Sequence, residues 1–250
     1  MTLLLILLFS LLGSVGCVVA AGLLFRTGRE FSPALKTFVL SYATGSLLGA
    51  AFLGMIPHAL AALPASRVLP TVLAGIFGFF VLEKLLVWRH CHEPDCQVHA
   101  QTGPLILIGD GVHNFIDGIA IALAFQQSHA LGIATALAVI AHEVPQEIGD
   151  IMILVHHGWS RRRAVGFNVL SSLTTIPGAL LAYWVGQQVS GIAPYALAVS
   201  AASFLYIALA DLTPDHRAQT RLRSTLLQCT GIAAGIGTIV LVHAVNHAGH

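Results

Sequence analysis

Apolar residues dominate eight stretches of the chain, near 2 to 25, 37 to 60, 70 to 89, 104 to 126, 130 to 156, 163 to 187, 193 to 212 and 224 to 245, and polar residues gather between them. Each stretch is about as long as the roughly 20 residues a helix needs to cross the hydrocarbon core of a bilayer. The pattern predicts an all-α polytopic membrane protein of eight transmembrane helices. The first stretch is as apolar as a secretory signal but has no basic residue ahead of it. It is also long enough to span, so it is read as the first helix. Composition agrees, with 56% hydrophobic residues, 9% charged residues and a mean hydropathy of +0.82. Eight spans nearly exhaust 250 residues, so 1–250 is expected to be one transmembrane domain with a short polar loop at 90–103.

Charge sets the expected orientation, because Lys and Arg are retained on the cytoplasmic side. With the amino terminus outside, Arg26, Arg29, Lys36, Lys84, Arg89, Arg161, Arg162, Arg163, Arg217, Arg221 and Arg223 all fall inside, and only Arg67 of the 12 falls outside. Both termini are therefore expected to be extracytoplasmic. A net charge of +1 argues against a nucleic-acid partner. Cys17, Cys91, Cys96 and Cys229 are scattered and form no disulfide framework.

A weak internal echo links the second and seventh spans. "SLLGAAFLGMIPH", 46 to 58, aligns without gaps to "SFLYIALADLTPD", 203 to 215, Ser on Ser and Pro on Pro. These spans cross in opposite directions, so descent from a common unit would make helices 1–3 and 6–8 an inverted repeat around helices 4–5, a transporter pattern. Chance explains so short an echo equally well.

The acids carry the functional signal. Five of the 11, namely Asp110, Asp117, Glu143, Glu147 and Asp150, lie in the fourth and fifth spans. An ionisable group at membrane depth costs a few kcal/mol unless it has a partner, a cavity or an ion. Positions four apart nearly eclipse on a helix. Asp110, His113 and Asp117 therefore share one face, with Asn114 at its edge. His142, Glu143, Gln146, Glu147 and Asp150 share an arc of about 140° on the next helix. The connection near Gln126 to Ala130 is short, so the two stripes can face each other.

Imidazole from His113 and His142, carboxylate from Asp117 and Glu143, and amide oxygen from Asn114 and Gln146 suit a borderline divalent metal. Pro145 frees the carbonyl of Ala141 beside this set, and Gly109, Gly111, Gly118 and Gly149 are expected to let backbones approach closely. Hydrogen-bonded helix packing alone would need only a Ser or Thr or two.

"HNFIDG", 113 to 118, and "HEVPQEIGD", 142 to 150, resemble the ZIP (Zrt/Irt-like) family of divalent metal transporters, in particular the subfamily with a HExPHExGD pattern in the fifth helix. "GFFVLEKLL", 78 to 86, and "SFLYIALADLTPD" extend the likeness. The resemblance implies transport of Zn²⁺, or of Fe²⁺, Mn²⁺ or Cd²⁺, into the cytoplasm across the plasma (bacterial inner) membrane. The metal would be a bound substrate, with no cofactor and no enzymatic activity. His113, Asp117, His142 and Gln146 would form the primary site. Asn114 and Glu143, with Gln146 or Asp117 bridging, would form the second. Some relatives add a carboxylate from the sixth helix, where this chain has only Asn168 and the Ser/Thr group 171 to 175. A second ion is therefore expected to be weak or absent.

Gln146 also departs from the subfamily pattern, which has His there, and an amide oxygen is a poorer zinc ligand. The rival class is an intramembrane zinc metalloprotease, since His142-Glu143-x-x-Gln146 is one residue from HExxH, with Glu143 as base. Accessory positions stay open between metal path and structure. Asp110 and Asp150 suit hydration, helix ends or pairing with Arg161 to Arg163 as well as a metal exit path. Glu147 is intermediate. His156 and His157 could relay metal or sit at the interface.

His90, Cys91, His92, Cys96 and His99 of the loop could bind metal loosely or merely connect spans. His58, Glu83 and Asp211 suit a gate, pairing with Lys84, or snorkelling, and His243, His247 and His250 could capture ions but better suit a frayed tail. The partners expected are the metal ion and the bilayer, with a homodimer open.

Overall fold

A computed structural model describes residues 1–26, 32–88, 102–156, 158–188, 191–212 and 222–247. Within these residues the chain is helical and contains no strand, and its segments join into eight rods. Rod α1 runs Thr2–Leu11, Leu12–Gly16 and Cys17–Arg26, and α2 runs Pro33–Gly49, Ala50–Met55 and Ile56–Ala62. Then follow α3 (Ala65–Trp88), α4 (Thr102–Gln127) and α5 (His129–His156). Rod α6 runs Arg161–Ser172 and Thr175–Gln188, α7 runs Ile192–Tyr206 and Ile207–Leu212, and α8 is Leu222–His247. The loop residues His90, Cys91, His92, Cys96 and His99, and likewise His157 and His250, lie outside the described residues, as do the side chains of Glu83, His156, Asp211 and His247.

The apolar runs become helices because lipid offers no partner for backbone N–H and C=O groups, and a helix satisfies them within one segment. Polar capping marks where several rods begin. Ser32 Oγ accepts from the Leu35 amide, with Pro33 in the first turn, and Ser160 Oγ accepts from the Arg163 amide. Ser128 Oγ accepts from the Leu131 amide in the tight joint between α4 and α5. Gly191, at φ 89°, opens α7 in a left-handed conformation that a side chain would strain.

Among the described residues, seven helices are long and apolar enough to cross a membrane by length and composition. The remaining rod is α5, whose length of 28 residues suffices but whose polar stripe dilutes its apolarity. Packing resolves the conflict. α5 touches α1, α2, α4, α6 and α8, so the least lipid-like helix is the one that neighbours enclose.

Close seams depend on small residues. Between α2 and α8, a methyl on Gly45 would collide with the Ile232 backbone and one on Gly235 with the Tyr42 carbonyl. Between α4 and α6, Gly118 meets the Thr175 carbonyl and Gly178 the Phe115 carbonyl. Gly149, also expected at a close approach, has no neighbour within 4 Å of where its methyl would be. It lies on a side of α5 that no backbone approaches, which the sequence could not show.

The echo between spans two and seven has a structural counterpart. Both rods widen into a π turn, at Ala50–Met55 and at Ile207–Leu212, and the gapless alignment superposes these two turns position for position. Neighbours follow the same exchange. α2 packs on α8 as α7 does on α3, α1 on α5 as α6 on α4, α2 on α5 as α7 on α4, and α1 on α4 as α6 on α5. Matching π turns and matching contacts are what an inverted repeat around α4 and α5 produces.

Candidate metal site

The polar stripes of α4 and α5 meet inside the bundle, because the short joint between the helices leaves them side by side and antiparallel. Asp117, Glu143 and Glu147 are fully buried, His142 is 1% exposed, and His113 is half-buried. His113 Nε2 and His142 Nε2 stand 3.1 Å apart. Asp117 Oδ2 lies 3.1 Å from His142 Nε2 and 3.7 Å from His113 Nε2. Glu143 Oε1 lies 3.4 Å from His113 Nε2 and 3.7 Å from His142 Nε2.

These distances fit the chemistry of one ion. Four ligands about 2.1 Å from a tetrahedral zinc stand about 3.4 Å from one another. The five edges just given bracket that value, and all four donor atoms lie within 4.8 Å of one another. His142 Nδ1 is 2.9 Å from the Ala138 carbonyl. With the proton on Nδ1 donated to that carbonyl, Nε2 keeps its lone pair for a cation, the usual orienting contact of a metal-binding His. Both carboxylate oxygens of Asp117 and of Glu143 are buried with no hydrogen-bond donor. Buried carboxylates without donors need a cation or a proton to offset their desolvation.

A second group, Asp110, Glu143 and Glu147, shares Glu143 with the first, and its donor atoms also lie within 4.8 Å of one another. Asp110, for which hydration at a helix end was one reading, is 4% exposed. Its Oδ1 accepts from Asn114 Nδ2 at 3.0 Å and from Gln146 Nε2 at 3.3 Å. Thr175 Oγ1 in turn donates to Asn114 Oδ1 at 2.9 Å. Asn114 and Gln146 thus turn their NH₂ groups to Asp110, while Asn114 offers its carbonyl oxygen to α6. Asp150 is half-buried farther along α5.

Thr175 escaped notice in the sequence, where the Ser/Thr group of the sixth helix stood out only for lacking an acid. The signal was its place in that cluster. Residues Leu173 and Thr174 interrupt α6, and Thr174 Oγ1 donates to the Gly111 carbonyl at 2.5 Å. The break brings two hydroxyls onto α4 beside Asp110 and Asn114. The Ala138 carbonyl was equally hidden, since a backbone partner leaves no mark in the sequence. α5 runs through Pro145 as one unbroken helix.

A bundle of apolar helices long enough to cross a membrane, whose innermost pair gathers four nitrogen and oxygen donors, two of them on buried carboxylates without hydrogen-bond donors, is a polytopic membrane protein with a candidate cation site in its interior. Residues 88–243 match the family described as ZIP Zinc transporter, and the chain belongs to that family. Over 139 residues it is 40% identical to the Zinc transporter foi of Drosophila melanogaster, covering 55% of this chain and 20% of that protein. Over 141 residues it is 42% identical to Zinc transporter ZIP4 of Mus musculus, covering 55% of this chain and 21% of that protein. Zinc transporter ZIP10 of Danio rerio is 35% identical over 145 residues, with 55% and 17% covered. The chain thus spans about a fifth of the length of these curated relatives.

Proposed function

We propose that the chain carries a divalent transition metal ion, zinc before iron, manganese or cadmium, across the plasma membrane into the cytoplasm. One ion is held in transit by His113, Asp117, His142 and Glu143. The observation that carries this reading is the cluster of four donor atoms, three of them on fully or nearly fully buried residues, with five of its six edges at 3.1 to 3.7 Å. Membership of the ZIP family supports it, and the three relatives are each named a zinc transporter.

Asp110 on α4, with Glu147 and then Asp150 on α5, continues the line of oxygen donors, and this line forms the path of release. Asn114 and Gln146 border both groups and hold Asp110 in place, and Gln146 keeps its amide oxygen for a hydrated ion. The whole of 1–250 acts as one transport domain with both termini outside, and the loop 90–103 receives metal on the cytoplasmic side. The chain catalyses no covalent step. Glu143, the base of the protease reading, stands here as one of four donors beside Asp117, and no second His follows it at the protease spacing.

Uptake of Zn²⁺, Fe²⁺, Mn²⁺ and Cd²⁺ by the purified chain in liposomes, alone and in competition, tests the proposal. Zinc entry that His113→Ala or Glu143→Ala abolishes, with the variant still folded, is expected. Transport retained in both variants refutes it, and cleavage of a membrane substrate without flux favours the protease.

A further inference from the structure

An open groove of about 690 Å³ runs along the outer seam of α4 and α6, and none of the four clustered donors lines it. Ile108, Val112 and Phe115 form one wall and Phe167, Leu170 and Pro177 the other. It faces the bilayer, since Ile108 is 58% and Leu170 62% exposed. At one end stand Trp159 and Arg163, and among the described residues none that lines the groove is acidic. The Arg163 guanidinium stacks 4.2 Å over the Trp159 ring and 5.8 Å from that of Phe167, so its charge is held at the groove mouth.

From this geometry we propose that the groove is a binding site for an anionic phospholipid, with one acyl chain between α4 and α6 and the phosphate on Arg163. Length and charge both point to this occupant. From Arg163 to Pro177 the helical rise amounts to roughly 20 Å. One leaflet of hydrocarbon is roughly 15 Å deep, so the groove takes a chain from the interface to the midplane. Arg163 stands in the first turn of α6 beside Arg161 and Arg162, with Trp159 just ahead, the residues that settle at the headgroup level. An uncharged apolar trough ending in a cation complements a molecule with an apolar tail and an anionic head. Basic pockets between membrane helices recognise headgroups in this way.

The deep side of the groove includes Gly111, Ser171 and Thr174. A bound chain therefore rests on the break in α6 that reaches the backbone beside Asp110.

The test uses the full chain in detergent with Trp88 and Trp184 replaced by Phe, leaving Trp159 as the only one of its three tryptophans. Phosphatidylglycerol and phosphatidylcholine with the same brominated acyl chains are titrated in turn, and quenching of Trp159 is read. One fixed cation at the headgroup is worth about a fivefold preference for phosphatidylglycerol. Arg163→Ala is expected to abolish this preference, Arg163→Lys to keep most of it, and Arg162→Ala to leave it intact. Equal affinity for the two lipids in the parent chain overturns the proposal. So does a preference that survives Arg163→Ala, or one lost equally in Arg162→Ala, which would mark diffuse surface charge.

Discussion

Replacing Asp117 with Asn separates what the site does for transport from what it costs the fold. In the bundle Asp117 is fully buried, and neither of its oxygens meets a hydrogen-bond donor. An ionised carboxylate at the centre of a membrane helix costs about 2.5–3.5 kcal/mol on insertion scales. The amide has the same shape, no charge, and an NH₂ group that can donate to Glu143 or to a His nitrogen. Without metal, Asp117→Asn is therefore expected to be more stable than the parent by about 1–2 kcal/mol, a fraction of that insertion cost. Zinc reverses the order. Binding at 100 times Kd stabilises the parent by about 2.7 kcal/mol, and this gain should nearly vanish in the variant.

Thermal unfolding in detergent with and without Zn²⁺ reads both effects. Each kcal/mol moves Tm by about 2–4 °C for a chain of this size. Zinc uptake in liposomes should fall at least about 100-fold, the upper end of what loss of an orienting group alone costs a metal site. A variant that is less stable than the parent without metal, yet keeps its zinc-dependent shift, would falsify the reasoning. Asp117 would then serve packing and not the ion.

Other expectations follow from particular contacts. Gln146→His should tighten zinc binding, and unchanged affinity by calorimetry would remove position 146 from the ligand set. Thr175→Val keeps the shape but strips the donor from the buried Asn114 oxygen, so unfolding should show a loss of about 1–3 kcal/mol. An unchanged Tm would mean that Asn114 finds another donor. Gly118→Ala drives a methyl into the Thr175 backbone and should cost about 1–3 kcal/mol or prevent assembly. Gly149→Ala, with nothing within 4 Å, should be neutral or stabilising in the same melting assay.

Helix number and the two helices that carry the polar stripes follow from the sequence alone. A lipid-facing helix needs a long apolar run, and buried acids at helical spacing are too costly to stand there by chance. His113, Asp117, His142 and Glu143 could all be named before any coordinates, because period and residue type together define a wet face. The short alignment of the second and seventh spans gained weight only when the two π turns fell on the same aligned positions.

Tertiary structure decided what those donors meet. By sequence Gln146 reads as a weaker ligand of the primary site and Asn114 as a ligand of the second, and Asp110 suits water, a helix end, an Arg partner or a metal exit path. In the fold their amides converge on Asp110, and Thr175 from α6 holds Asn114. It also decided which glycine matters, since Gly118 lies against a backbone and Gly149 against open space. Periodicity fixes the face of a helix a side chain occupies. Which neighbour arrives opposite depends on the seams between helices and on the break at Leu173 and Thr174, and these arise only when the whole bundle packs.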